Sequence, residues 1–65
     1  MRWVLIAHKG DDPEEVARRA EAEINAGVPD VTIQIGRRRL YAHGVSLGPS
    51  LREHVLAAWP EKWRR

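Results

Sequence analysis

Val31-Thr32-Ile33-Gln34-Ile35-Gly36-Arg37-Arg38-Arg39-Leu40-Tyr41-Ala42 is the stretch that decides the fold. Residues 31–35 alternate apolar with polar, the pattern of a strand with one covered face and one wet face. Gly36-Arg37 suits a two-residue hairpin turn of the type that takes glycine first. The register that follows sets Ile35 against Arg38, Ile33 against Leu40 and Val31 against Ala42 on one face. It leaves Thr32, Gln34, Arg39, Tyr41 and His43 on the other. Apolar residues meet apolar residues, which supports that register over a slipped one.

Upstream of the hairpin, Gly10-Asp11-Asp12-Pro13-Glu14-Glu15 announces a helix. Asp12 is placed to cap it, Pro13 suits the first helical position, and Glu15 stands where a capping box needs an acid. Val16, Ala17, Ala20 and Ile24 recur at helical spacing, a narrow stripe of mostly small residues suited to lying close on a sheet. Gly27 stops the helix, with Pro29 as a second barrier. Before it, residues 2–8 read as a strand built on Trp3-Val4-Leu5-Ile6-Ala7, apolar on both faces. Downstream, residues 44–49 form a loop. Ser50-Leu51-Arg52-Glu53 then opens a second helix with Leu51, Val55, Leu56 and Trp59 facing inward. Pro60 ends that helix at Trp59, and Trp63 is the residue able to dock the last turn.

The order is strand, helix, hairpin, helix. One domain over residues 1–65 follows: an α+β, two-layer βαββα sandwich, its three-stranded sheet carrying two helices on one face. A right-handed crossover joins strands one and two, and the hairpin makes strands two and three neighbours. Strand one is therefore an edge, in order 1-2-3 or in the ferredoxin-like order 1-3-2. The expected core is Val4, Ile6, Val16, Ala20, Ile24, Val31, Ile33, Ile35, Leu40, Ala42, Leu51, Val55 and Trp59. That choice turns Trp3 and Leu5 outward beside Tyr41.

Asp12-Pro13-Glu14-Glu15, Ser50-Leu51-Arg52-Glu53, the Gly27 stop and the Gly36-Arg37 turn together resemble the architecture of computationally designed α/β miniproteins. The resemblance implies an engineered chain without catalysis. Three tryptophans, Asn25 in the last turn of its helix, Pro60 and the preference for Arg over Lys depart from that pattern.

At 65 residues the chain lies below the ~70–80 at which a single core is comfortable, so the stability margin is thin. It contains no cysteine, which excludes disulfides, thiolate metal sites and a thiol nucleophile. No targeting signal or membrane span is legible, and no compartment is assigned. Net charge is +2. Residues 1–36 carry four basic and seven acidic side chains (−3), and residues 37–65 carry seven basic and two acidic (+5).

Chemistry finds little footing. His8 and His43 end antiparallel strands at opposite ends of the sheet, about 15–20 Å apart, and His54 adds at most a pair, so no metal is expected. Asp11, Asp12, Glu14 and Glu15 are explained by capping and the helix dipole. No hydroxyl has an evident base and orienting acid. The expectation is a non-catalytic domain, without cofactor, whose role is structural or protein-binding. Its partner would be a second copy or another protein, met through the strand Trp3–Ala7 and the open sheet face, with Trp3, Leu5, Ala7, Tyr41 and Trp63 as contact residues. Nucleic acid ranks second, through Arg37, Arg39, Tyr41 and His43; no membrane partner is expected.

Overall fold

A computed structural model describes residues 2–43 and 51–64, the His43 side chain excepted. The elements follow the sequence: β1 (Arg2–Ala7), α1 (Pro13–Asn25), β2 (Asp30–Ile35), β3 (Arg38–His43), α2 (Leu51–Ala58) and a 3-10 turn at Glu61–Trp63. The expected Ser50 cap and the loop of residues 44–49 lie outside the described residues. β1 runs parallel to β2, and β2 antiparallel to β3, in the order β1-β2-β3. The ferredoxin-like order is therefore not the one adopted. Its physical disadvantage is visible in β3, where Arg38 points to the helix-covered face beside Ile35 yet is exposed. At an edge that guanidinium escapes to water; in the middle of the sheet it would be flanked on both sides.

The local signals act as read. Asp12 accepts a hydrogen bond from Glu14 N at 3.0 Å and caps α1, with Pro13 in the first turn. Glu15 turns instead to Arg18, at 3.3 Å. At the other end, Gly27 N donates to Ile24 O at 3.0 Å and Val28 N to Glu23 O at 3.1 Å, the paired bonds of a Schellman stop. The hairpin register is the expected one, Ile35 with Arg38, Ile33 with Leu40 and Val31 with Ala42.

Both helices lie on one face of the sheet. Val31, Ile33 and Ile35 of β2 are essentially inaccessible there, against Val16, Ala17 and Ala20 of α1 and Leu51, Val55 and Ala58 of α2, with Trp59 beyond it. Ile24, Leu40, Trp63 and Trp3 are partly buried around this core. Leu56 is half-buried, so the inner face of α2 is completed by Ala58.

One expectation is reversed. Leu5 and Ala7 are buried and Trp3 packs against the core, whereas Val4 and Ile6 are 52% and 55% exposed. The alternation of β1 is set by its ends. The phase containing Val4 and Ile6 also contains Arg2 and His8, and turning it inward would carry both polar groups toward the helices. The phase of Trp3, Leu5 and Ala7 carries no polar side chain. Register agrees, because Trp3, Leu5 and Ala7 stand beside Val31, Ile33 and Ile35.

The C-terminal turn closes the molecule over the hairpin. Trp63 meets Trp59 edge-to-face, ring centroids 5.4 Å apart and planes at 79°. Arg64 Nη2 donates to Leu56 O at 2.7 Å, satisfying a carbonyl at the end of α2. Gly36 lies beneath this turn with φ +60°, while Arg37 keeps a negative φ, the glycine-first hairpin geometry. A Cβ on Gly36 would stand 3.4 Å from Pro60 Cγ and 3.9 Å from Trp63 Cζ2.

Two substitutions test these placements by chemical denaturation. Leu5→Ala should cost about 2–5 kcal/mol, most of the margin of so small a domain, whereas Val4→Thr should stay within about 0.5 kcal/mol. Equal costs would contradict the phase of β1. Gly36→Ala should destabilise by about 1–2 kcal/mol through the backbone strain of its positive φ.

Candidate protein-binding surface

The face of the sheet opposite the helices is uncovered among the described residues. Register lays it out in three rows running from β1 through β2 to β3: Arg2, Asp30 and His43; Val4, Thr32 and Tyr41; Ile6, Gln34 and Arg39. Strands lie about 4.8 Å apart, so Val4 and Tyr41 are separated by roughly 10 Å across Thr32. Tyr41 is 56% exposed, matching Val4 and Ile6. At one end of this face Arg2, Asp30, Thr32 and Tyr41 line a hollow.

The two edges of the sheet differ. β3 presents the exposed Arg38 and Arg39, the kind of basic edge that discourages strand addition. β1 has a single charge, Arg2 at its first residue, and neither proline nor an inward-pointing charge. Among the described residues nothing pairs with its outer rail, since β1 ends the strand order. Its backbone donors and acceptors and the exposed Val4 and Ile6 thus occupy the same strip of surface.

The expected contact residues are divided by this arrangement. Tyr41 is on the open face, as anticipated. Leu5 and Ala7 are in the core, and Trp3 lies half-buried on the same covered side. Trp63 is half-buried and docked against Trp59, on the helix layer rather than the open face. Val4 and Ile6, assigned to the core from sequence, take the places of Trp3 and Leu5 on the surface. The signal that would have found them is the polar pair Arg2 and His8 in their own phase. Of the residues proposed for nucleic acid, Arg39 shares the open face with Tyr41, Arg37 stands exposed at the hairpin tip, and His43 falls opposite Asp30 in register.

Among the described residues no group of three or more potential metal ligands is gathered, and no helix is long and apolar enough to cross a membrane. The perturbed titrating groups lie on the other layer. Glu14, at the start of α1, accepts Arg52 Nε of α2 at 2.7 Å and also receives its Nη2. That double hydrogen bond, aided by charge attraction, holds the Glu14 carboxyl below its ordinary value of 4.5 and raises the Arg52 guanidinium. The pair clamps one helix to the other at the surface.

Comparison of the chain with family models, curated protein sequences and solved structures found no match. The functional reading rests on the surface alone.

Because the Glu14 carboxyl is depressed in the folded chain, its contribution to stability is present above 4.5 and disappears as pH falls through the folded value. The pair is exposed and screened by salt, so the effect is small. Wild type should exceed Glu14→Gln in stability at neutral pH and low salt, and the two should converge well below pH 4.5. Urea denaturation of both proteins against pH measures the difference.

Proposed function

We propose that this is a non-catalytic, structural or protein-binding domain that associates with a second copy of itself through β1. The observation that carries the reading is the combination on one edge strand of an unguarded backbone rail with Val4 and Ile6 half-exposed beside it. Edge strands of this kind add further strands by main-chain hydrogen bonding, with the side chains of one face supplying selectivity.

Edge pairing adds main-chain hydrogen bonds that face-to-face contact of the sheet lacks. Antiparallel pairing of β1 with β1 of a second copy makes one six-stranded sheet. It brings Val4 and Ile6 of both copies together at its centre and leaves the basic β3 edges outermost, where they limit further growth.

Single-stranded nucleic acid is the competing occupant of the same face. Arg39 beside Tyr41 favours it, since a cation next to an aromatic platform suits an unpaired base. Turning Trp3 into the core leaves that face with Tyr41 as its one aromatic ring among the described residues, and Asp30 adds a negative charge to it. Successive bases would lack successive platforms. Self-association is the better-supported use.

Light scattering across a dilution series tests the proposal. The chain should pass from monomer to dimer as its concentration rises, and Ile6→Lys should hold it monomeric with its circular dichroism unchanged. A monomer at millimolar concentration would refute it. Salt-sensitive binding of a single-stranded oligonucleotide, abolished by Arg39→Gln with Tyr41→Ala, would transfer the face to the competing reading.

A further inference from the structure

The open face is not where positive charge gathers. The turn after α2 folds back on the hairpin, and between them runs a groove of about 510 Å³. Ala58, Trp59, Pro60 and Trp63 form its apolar wall. Arg37 and Arg38 come to it from the hairpin, and Lys62 and Arg64 from the C-terminal turn, with Glu61 as the one acid. Residues 37–38 and 62–64 are far apart in sequence; the packing of Trp63 on Trp59 and over Gly36 brings them together.

The four cations are not equivalent. Arg64 is engaged, donating to Leu56 O at 2.7 Å and standing 3.9 Å from Glu61 Oε2. Arg37, Arg38 and Lys62 have no hydrogen bond or ion pair among the described residues. Asp11 lines a smaller, neighbouring hollow that shares Trp59, Trp63 and Arg64 with the groove. Its carboxylate is turned to its own chain, accepting His8 N at 2.7 Å. Three cations without a neutralising partner among the described residues therefore stand beside an apolar wall containing a proline and a tryptophan.

We propose that this groove is a binding site for a small aromatic anion, a planar ring carrying one phosphate. Its volume falls within the ~300–1,000 Å³ usual for small-molecule sites. Arginine guanidiniums offer parallel N–H pairs to a phosphate, and lysine adds a mobile point charge. Three cations unpaired among the described residues, against the one acid Glu61, favour a dianionic phosphate over a single carboxylate. The wall of Pro60 and Trp63 accounts for the ring, which a bare inorganic anion would leave unused. The site is separate from the β1 edge and does not depend on the role proposed for it.

The full chain titrated with AMP, with adenosine and with inorganic phosphate tests this, read by the indole N–H resonances and assigned with Trp63→Phe. AMP should move the Trp63 signal saturably, and adenosine and phosphate should each bind at least about tenfold more weakly, the loss of one of two contact types. Arg37→Gln with Lys62→Gln should weaken AMP binding about tenfold or more, whereas Arg39→Gln, on the other face of the hairpin, should leave it unchanged. Arg37, Lys62 and Arg39 are exposed, and circular dichroism checks that each variant, Trp63→Phe included, folds. The proposal is overturned by any of three results: no saturable shift with AMP, phosphate binding as tightly as AMP, or equal losses in Arg39→Gln and the double variant.

Discussion

Burial of Val31, Ile33 and Ile35 beneath two helices is the contact on which the rest of the molecule depends. β2 is the strand that pairs on both sides, so its three aliphatic side chains meet α1, α2, β1 and β3 together. The small residues Ala17 and Ala20 let α1 approach closely, and Leu51 and Val55 complete the layer from α2. Among the described residues there is one such layer and no second set of helices. One face of the sheet is thus left outside the core they form. The exposed surface of β1 is a direct consequence of that geometry.

Much of this was legible before any coordinates. The alternation of residues 31–35, the glycine at position 36 and the apolar partners across the turn specified one register, because each was an independent signal for it. Asp12, Pro13 and Gly27 bounded α1 for reasons of backbone chemistry that act within a few residues. What resisted reading was β1. Its apolar run carries no alternation, and its phase is marked only by Arg2 and His8 at the ends and by the β2 residues beside which Trp3, Leu5 and Ala7 stand. The strand order was open for the same kind of reason, since connection rules admitted both arrangements. The charge of β3 decides between them only once Arg38 is seen to need solvent.

The candidate surface inherited that ambiguity. Tyr41 was placed correctly because β3 alternates, whereas Trp3, Leu5 and Ala7 exchanged places with Val4 and Ile6 because β1 does not. The groove at the hairpin end was not legible at all. Its parts are Arg37 and Arg38 on one segment and Lys62 and Arg64 on another, and only the docking of Trp63 joins them. Local patterns reveal where a chain turns; a site assembled across a tertiary contact has no local pattern.

The central claim is that β1 is an edge strand with Leu5 in the core and Val4 and Ile6 open to solvent. A soluble paramagnetic probe added to dilute protein, with the methyl resonances of these three residues observed by NMR, tests it most directly. The account predicts strong broadening of the Val4 and Ile6 methyls and a Leu5 signal left nearly untouched. Protection of Ile6 together with broadening of Leu5, in protein shown to be monomeric, would contradict it.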